Sequence, residues 1–192
     1  MEHAALRVPL QDQRVALCRH TPADLPCFLE WHSDPELARL TRHDQTPLKR
    51  EQIATYFETI VLPSSAQGMC FGIEATDATP HRLIGTCSLT DLARETGTLR
   101  ILIGPHDCWG KGYGTEAVRL LVAYGFERLK LREIVLGVFD FNVRAIRSYE
   151  KVGFRHASTI RLSRPIGSPP AHEYLMTITP ATIRRTNHER SL

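Results

Sequence analysis

The stretch Trp109-Gly110-Lys111-Gly112-Tyr113-Gly114-Thr115-Glu116-Ala117 decides the fold of this 192-residue chain. Three glycines alternate there with larger residues, immediately before a run that has the apolar spacing of a helix. Glycine lets a backbone turn sharply and lets a ligand approach the main chain without meeting a Cβ. The unpaired N–H groups at the start of the helix point back into this loop. The pattern therefore predicts an anion site, most often one for phosphate.

The spacing of these glycines separates the known kinds of phosphate loop. A P-loop needs a Ser or Thr directly after its Gly-Lys, whereas Lys111 is followed by Gly112, so a P-loop is excluded. Gly112, Gly114 and Ala117 do have the G-x-G-x-x-A spacing of a dinucleotide fingerprint. That fingerprint belongs in the turn after the first strand of its fold, and this loop lies past the middle of the chain. A dinucleotide site and a phosphate-free turn remain as alternatives.

The loop resembles the pyrophosphate loop of the GNAT superfamily, the acyl-CoA-dependent N-acyltransferases. Their usual pattern is Gln/Arg-x-x-Gly-x-Gly/Ala, and Trp109 takes the position of the Gln or Arg here. The form Trp-Gly-Lys-Gly-Tyr-Gly resembles the branch related to ribosomal-protein N-terminal acetyltransferases. Asn142–Phe154 is similar to the second motif of the superfamily, Asn-x-x-Ala-x-x-x-Tyr-x-x-x-Gly-Phe, and Phe28–Glu36 is similar to the first helical region of that branch. The resemblance covers roughly residues 8–178.

The composition is that of an ordinary globular protein, with 42% hydrophobic and 23% charged residues. No apolar run approaches the roughly 20 residues that span a bilayer, and Met1–Leu10 lacks the apolar segment of a signal peptide. A formal charge of +3 without a basic stripe argues against nucleic-acid binding. The five cysteines form no C-x-x-C pair, so neither a metal site nor a disulfide framework is expected. We expect a cytoplasmic protein without metal or membrane attachment.

The chain is predicted to form one domain over residues 1–179, followed by a disordered tail over 180–192. Helix starts are expected at Thr21-Pro22 and at Thr46-Pro47, because Pro is favoured at the first helical position, and Pro63 is expected to end the second of these helices. Antiparallel strands come first, then strands alternate with helices, which indicates a mixed α+β sheet with helices on both faces. The resemblance makes this the GNAT fold, with a mostly antiparallel splayed sheet of six to seven strands. The strands are expected near Ala16–Arg19, Met69–Ala75, Leu83–Leu89, Thr98–Ile103, Glu133–Phe139, Phe154–Leu162 and Glu173–Ile178, with polar turns at Asp91–Gly97 and Gly167–Pro170 and helices at Thr115–Leu129 and Asn142–Val152.

The resemblance implies acetyl-CoA as the co-substrate. Backbone N–H groups of the loop would hold its pyrophosphate, and the strand before the loop would pair with the pantetheine arm. A backbone N–H around Leu102 would bond the thioester carbonyl as an oxyanion donor. Asn142 has two open roles, as the N-cap of its helix or as a CoA ligand. The predicted cofactor-binding residues are Ile101, Leu102, Ile103, Trp109, Gly110, Lys111, Gly112, Tyr113, Gly114, Thr115 and Asn142.

Tyr149 is the predicted catalytic residue. It follows Asn142 by two helical turns and lies on nearly the same face. A phenol with a pKa of about 10 can donate its proton to a thiolate of about 8.5, which is the role that the resemblance implies; a packing tyrosine is the alternative. Arg144 and Arg147 fall on the opposite face and are expected to be solvated. Many relatives carry a Glu on the strand before the loop, but Thr98–Leu102 has no carboxylate, so no general base is named.

The acceptor amine is predicted to bind near Trp31, His32 and Asp34, with Tyr56 and Phe57 as wall residues. The predicted activity is acetyl transfer to a primary amine by direct attack in a ternary complex. The amine is a protein N-terminus or a small molecule, and the enzyme is a monomer or a homodimer. The alternatives are a catalytically degenerate acyl-CoA sensor and a dinucleotide-binding oxidoreductase.

Overall fold

One mixed sheet runs through residues 10–163 and 171–182, which the computed structural model describes. Its strands are β1 (Leu10–Gln11), β2 (Val15–Cys18), β3 (Cys70–Ala75), β4 (Arg82–Ala93), β5 (Thr96–Ile103), β6 (Glu133–Phe139), β7 (Arg155–Arg161) and β8 (His172–Ile178), in the spatial order β1-β2-β3-β4-β5-β6-β8-β7. All neighbouring pairs are antiparallel except β5 and β6, which are parallel. The expected α+β class is confirmed, with eight strands instead of six to seven.

Helices cover both faces of this sheet, and each face has its own apolar core. On one face lie α5 (Tyr113–Glu127) and α6 (Val143–Val152), and on the other lie α1 (Leu25–Ser33), α2 (Pro35–Thr41), α3 (Arg50–Tyr56), a π-helical segment (Phe57–Val61) and α4 (Leu62–Ala66). The core under α5 is the larger and includes Leu121, Ile134 and Tyr149. The core under the N-terminal helices contains Phe28, Phe57 and Leu102.

The parallel strands β5 and β6 separate after a short stretch of pairing. Their register pairs Thr96–Thr98 with Glu133–Val135 and ends there, although both strands continue. The rest of β5 therefore presents one unpaired edge of N–H and C=O groups, which need another partner when buried. This divergence of β5 and β6 leaves a gap between them and is the splay expected for the sheet.

Two expected helix boundaries are wrong. The helix expected to start at Thr46-Pro47 begins at Arg50, because the N–H of Thr46 bonds to Asp44 and the side chain of Gln52 caps the backbone of Lys49. Pro63 does not end the helix either. The π-helical segment before it uses wider hydrogen bonding, from the N–H of Leu62 to the carbonyl of Phe57, and such a segment relieves the clash that a proline ring makes with the preceding turn.

The β4–β5 hairpin is longer than expected, since its turn is only Arg94 and Glu95, both with positive φ. The polar segment Asp91–Gly97 is therefore mostly strand. The expected tail begins with a helical turn over residues 180–182, where the N–H of Thr182 bonds to the carbonyl of Thr179 at 3.0 Å. The expected loop Gly167–Pro170 and residues 183–192 lie outside the described residues.

Candidate active site

The glycine loop turns into α5 through two left-handed residues. Gly110 and Gly112 have φ values of +75° and +94°, which glycine adopts without the steric cost of a Cβ. A Cβ at Gly110 would meet nothing within 4 Å, so the space beside this backbone is open to a ligand. The loop ends at the N-terminus of a 15-residue helix, where free N–H groups favour an anion.

Two of the predicted loop residues hold the loop from outside instead of lining the cavity beside it. The hydroxyl of Tyr113 donates to the carboxylate of Asp77 at 2.9 and 3.0 Å. The backbone carbonyl of Lys111 accepts from the guanidinium of Arg14 at 3.1 Å, and Arg14 also forms an ion pair with the buried carboxylate of Glu116. These contacts fix the loop against the β1–β2 turn, through Arg14, and against the β3–β4 connection, through Asp77.

Trp109 is the centre of a stack of three side chains. Its indole N–H donates to the carbonyl of Ile103 at 2.8 Å, and the ring of His106 stacks on it with centroids 4.0 Å apart. The guanidinium carbon of Arg144 lies 3.8 Å from the indole centroid, a cation–π geometry. Desolvation lowers the pKa of Arg144. Arg144 is exposed to solvent, as the helical periodicity predicts, but its guanidinium also lies beside the loop, which that periodicity does not predict.

The strand before the loop offers its main chain to a ligand. The N–H of Gly104 donates to the carbonyl of Ile84 on β4 at 2.9 Å, and bonds of an antiparallel ladder recur at every second residue. Leu102 therefore also directs its N–H toward β4. The N–H groups of Ile101 and Ile103 face the open gap, so these groups, and not the N–H of Leu102, are accessible from it.

Asn142 and Thr115 connect the helices around the gap. The side-chain oxygen of Asn142 accepts from the N–H of Ala145 at 3.3 Å, which makes Asn142 the N-cap of α6. Its amide nitrogen lies 3.5 Å from the carbonyl of Leu40. Thr115 and Ser148 share a hydroxyl hydrogen bond of 2.7 Å between α5 and α6. Of the two roles left open for Asn142, the N-cap is the one that its contacts show.

Tyr149 lies on α6 with a buried ring and a free hydroxyl. The residue is 9% exposed, and its ring packs against Phe154 at a centroid distance of 5.9 Å. Within the described part of the chain, the hydroxyl has no hydrogen-bond partner. Burial raises the pKa of Tyr149 to about 12. The phenol therefore keeps its proton at neutral pH and is available as a donor.

A single cavity of about 1160 Å³ joins the loop, the open edge of β5 and Tyr149. Of the predicted cofactor residues, all line it except Lys111 and Tyr113. Ligand cavities in proteins are commonly about 300–1,000 Å³, so this one has room for two substrates. Among the described residues, its charged lining consists of Arg42, Arg100, Arg144, Arg147 and Lys151 against one carboxylate, Glu173.

Glu173 extends from β8 across the neighbouring strand β6. A Cβ on residue 137 would overlap the Glu173 carboxylate, so the glycine at this position makes the arrangement sterically allowed. His43 holds the carboxylate from the α2 side with its Nε2 3.0 Å from Oε2, and its ring meets Phe139 edge to face at 5.4 Å. The side chain of Glu173 is 19% exposed, and it faces the part of the cavity under the N-terminal helices.

The structure separates the residues expected to bind the acceptor. His32 and Tyr56 line the cavity. Trp31 does not, because it packs against Gly104 at 2% exposure, and Phe57 is buried in the adjacent core. Asp34 accepts from the N–H of Leu37 as the N-cap of α2 and pairs with His106 at 3.0 Å. Trp31 and Asp34 therefore lie behind the cavity wall and hold it in position, and neither side chain lines the cavity.

Other kinds of site find no support in the part of the chain that the structure describes. All five cysteines are free thiols. Residues 10–163 and 171–182 contain no group of three or more His, Cys, Asp or Glu side chains that could hold a metal ion. None of the described helices has the length and apolar character needed to cross a membrane.

Comparison with known proteins agrees with this geometry. The family model described as an acetyltransferase (GNAT) domain matches residues 14–155. The chain belongs to the GNAT acetyltransferase family. The probable N-acetyltransferase YjcK of Bacillus subtilis is 36% identical over 137 residues, which are 69% of this chain and 72% of that protein. Human alpha/beta-tubulin-N-acetyltransferase 9 is 27% identical over 187 residues, 88% of each chain.

The GNAT fold is also found in solved structures. Spermidine N-acetyltransferase from Vibrio cholerae, in complex with CoA and spermine, superposes with a TM-score of 0.73 at 17% identity, and the match covers 90% of this chain and 99% of that one. The present GNAT chain is an acetyl-CoA-dependent N-acetyltransferase, and family membership rules out the oxidoreductase considered from the glycine spacing.

Sequence reasoning missed two functional candidates of this GNAT enzyme. Glu173 lies outside every motif quoted from the sequence, but a glycine inside the apolar strand β6 is a signal, since such residues often mark a close approach. Arg144 was placed by helical periodicity alone. Its long side chain instead reaches Trp109, and an aromatic residue at a position usually occupied by Gln or Arg could have suggested that contact.

Proposed function

We propose that this enzyme transfers the acetyl group of acetyl-CoA, bound in the gap between β5 and β6, to a primary amine held at Glu173. The reaction is direct attack in a ternary complex. The observation that supports this best is the unpartnered hydroxyl of Tyr149, which opens into the same cavity as the glycine loop and Glu173.

The residues around the gap fit acetyl-CoA in shape and in charge. The loop offers N–H groups at the N-terminus of α5 to the pyrophosphate, and Arg144 adds a cation beside it. Arg147 and Lys151 line the cavity from the same helix. The unpaired N–H groups of Ile101 and Ile103 can pair with the pantetheine arm as an added strand would.

Acetyl-CoA supplies an activated thioester, and the protein supplies donors and an acceptor for protons. An N–H of β5 stabilises the negative charge that develops on the carbonyl oxygen. The Glu173 carboxylate takes a proton from the ammonium group, which leaves a neutral amine to attack. As the carbon–nitrogen bond forms, the carbon–sulfur bond breaks and the leaving sulfur receives a hydrogen bond from Tyr149. The second amine proton neutralises the thiolate.

The pKa of Tyr149 decides between two versions of its role. Burial raises this pKa to about 12, well above the roughly 8.5 of a free thiol. Complete proton transfer from this phenol to the thiolate is therefore uphill. Tyr149 acts by donating a hydrogen bond as the charge develops, and the proton follows from the amine. This modifies the simple general-acid role predicted from the motif.

The resemblance to the ribosomal-protein N-terminal acetyltransferase branch adds a protein N-terminus to the proposed acceptors, and the name of the human relative also refers to a protein. A small-molecule amine is the other proposed acceptor, as for the spermidine enzyme. His32 would contact either kind of acceptor. Trp31 and Asp34 would not contact it but would hold the cavity wall in place. A monomer or a homodimer in the cytoplasm is proposed for the assembly.

Three measurements test the proposed function in sequence. Mass spectrometry of the purified protein shows whether CoA co-purifies. Calorimetry compares acetyl-CoA with NAD, and thiol release is then followed with a panel of amines. We expect acetyl-CoA to bind, NAD not to bind, and Glu173→Gln to reduce turnover without weakening acetyl-CoA binding. A protein that binds acetyl-CoA but acetylates no amine would be the sensor instead.

A further inference from the structure

One wall of the acceptor part of the cavity carries hydrogen-bond donors and positive charge. We call His32, Arg42, Tyr56 and Arg100 the donor wall; all four line the cavity. The rings of His32 and Tyr56 meet edge to face with centroids 6.0 Å apart, which joins α1 to α3. The wall lies on the face of the sheet covered by the N-terminal helices, opposite α6 and its cations.

His32 contributes a ring nitrogen that the protein leaves without a partner. The Nε2 atom is buried and makes no hydrogen bond to any described residue, although buried polar atoms are normally paired. The ring itself is fixed by stacking on Phe28 at 5.5 Å. Burial, and then the positive charge of Arg42, lower the pKa of His32. The ring is therefore neutral near pH 7, and a ligand atom in the cavity can satisfy the free nitrogen.

The two arginines flank this pair of rings. Arg42 is held by a bidentate ion pair with Asp44, at 2.7 and 3.0 Å, and this fixes its position while leaving Nη1 unused by Asp44. Arg100 has only long contacts, 3.4 Å to Thr90 and 3.8 Å to Asp91, and its side chain is 69% exposed. Both guanidinium groups can therefore bind an anion without breaking a strong internal contact.

The side of the acceptor cavity opposite the donor wall carries a negative charge. Glu173 is the only carboxylate among the described residues that line the cavity. A polycationic acceptor would bring its further positive charges against Arg42 and Arg100, and unpaired like charges in a partly buried site are unfavourable. An acceptor with one ammonium group and one acidic group would satisfy both sides.

We propose that the acceptor of this enzyme carries an acidic group close to its amine, with the ammonium at Glu173 and the acidic group on His32, Arg42 and Arg100. The inference rests on the proposed function and names the substrate class for it. The acidic group meant here is a side-chain carboxylate, additional to the α-carboxylate that every free amino acid carries. It is present in a free acidic amino acid and in the first residues of an acidic peptide N-terminus. The recognition chemistry is shared, and the experiment separates the two sources.

The test uses acceptors that differ only in charge. One arm compares free aspartate and glutamate with asparagine and glutamine. The other compares short C-terminally amidated peptides that begin with Asp, Asn or Lys, and spermidine serves as the polycation. The value of kcat/KM is measured by thiol release at saturating acetyl-CoA. Calorimetry of the CoA-saturated protein with the same compounds measures acceptor binding independently of turnover.

We expect acidic acceptors in at least one arm to exceed their amides by about tenfold or more, since hydrogen bonds between ionised groups are the strong ones. Arg42→Gln and Arg100→Gln should each remove most of this preference, mainly through a higher KM for the acidic acceptor. Arg100→Glu should favour the Lys peptide. Arg119→Gln, which removes an exposed arginine of α5 outside the cavity, is the matched control and should keep the preference.

The outcomes separate the two proposals. If acetyl-CoA binds and neutral amines or spermidine react as well as acidic ones, the proposed function stands and the acidic acceptor is wrong. If calorimetry shows no preference for the acidic compound in either arm, the inference is also wrong, whatever the turnover. If acetyl-CoA does not bind at all, the proposed function fails first. A preference that Arg119→Gln abolishes as fully as Arg100→Gln would also contradict the donor wall.

Discussion

Tyr149 combines a buried ring with a hydroxyl that has no partner among the described residues. Replacing it with Phe keeps the ring and its packing on Phe154 and removes only the donor. We expect kcat to fall by about 10²–10³-fold, as for the loss of one hydrogen-bond donor to a developing negative charge, with the Kd of acetyl-CoA unchanged, as measured by thiol release and calorimetry. Tyr174→Phe, on β8 and outside the cavity, is the control. A Tyr149→Phe enzyme within about twofold of wild type would falsify the role.

The pH dependence checks the same assignment. A neutral donor is active below its pKa, and burial raises the pKa of Tyr149 to about 12. The phenol should therefore cause no loss of kcat/KM between pH 7 and about pH 10. An alkaline fall near the ordinary phenol value that disappears in Tyr149→Phe would show that the hydroxyl is less buried than the structure indicates.

Gly137 matters because the Glu173 carboxylate lies over it. Gly137→Ala should displace that carboxylate and its contact with His43 while leaving β6 in place, since alanine fits a strand. We expect kcat/KM for the amine to fall about as far as in Glu173→Gln, and acetyl-CoA affinity to stay the same. Circular dichroism controls for folding. If Gly137→Ala is fully active while Glu173→Gln is not, the carboxylate does not depend on this close approach.

At the scale of elements, the junction of the loop with α5 determines where the phosphate binds. Gly112 and Gly114 of this loop are not equivalent. Gly112 has a φ of +94°, so any side chain there strains the protein itself. A Cβ at Gly114 meets only Ile103, at an ordinary 3.5 Å. Substitution at Gly114 therefore tests ligand approach with little effect on the fold.

We expect Gly114→Val to weaken acetyl-CoA binding by about tenfold or more, because the branched side chain occupies space that a ligand phosphate needs beside the helix N-terminus. Gly114→Ala should weaken it less, and both variants should keep the wild-type melting temperature within a few degrees. Calorimetry with acetyl-CoA measures the effect. Unchanged affinity in a folded Gly114→Val protein would move the phosphate site elsewhere.

His20 joins three elements near the start of the chain. Its Nδ1 lies 2.9 Å from Asp24 and its Nε2 lies 3.0 Å from Thr86 on β4, with Phe28 and Phe57 against the ring. Burial lowers its pKa, and the contact with Asp24 opposes this only in part. The folded state thus binds its proton less readily than the unfolded chain, whose pKa is about 6.5.

The contribution of neutral His20 to the free energy of unfolding is therefore fully present above about pH 6.5. It is lost as the pH falls toward the lower pKa that His20 has in the folded state. We expect the urea midpoint to drop between pH 7.5 and pH 5.5, and to drop less in His20→Gln, whose amide can still reach Asp24 and Thr86. The drop that remains in this variant reports His32, whose pKa is also lowered. An equal drop in both proteins would mean that His20 is not the group responsible.

Sequence patterns predicted the elements whose signals are local. The glycine loop before α5, the Asn142 cap of α6 and the closing Gly153 all follow from rules about helix ends. The helix predicted to start at Thr46 begins at Arg50 instead, where the side chain of Gln52 accepts from the N–H of Lys49. The position of Glu173 could not be predicted, because it depends on β8 lying beside β6, a pairing between distant parts of the chain.

At the scale of the whole molecule, the splay between β5 and β6 connects two cores with different tasks. The core under α5 and α6 supports the loop and Tyr149, and the core under the N-terminal helices supports His32 and the acceptor wall. The open edge of β5 lies between them. The co-substrate side is built from two continuous motifs, so its residues could be predicted from the sequence. The acceptor side is assembled from residues far apart in the chain, so most of them could not.

The most direct test of the proposed function is to measure acetyl transfer itself. The purified full chain is mixed with acetyl-CoA and an acceptor amine, free CoA is followed by thiol release, and the product is identified by mass spectrometry. We expect one N-acetylated amine for each CoA released, with both signals lost together in Glu173→Gln. CoA release without acetylated amine, or equal product from wild type and Glu173→Gln, would contradict it.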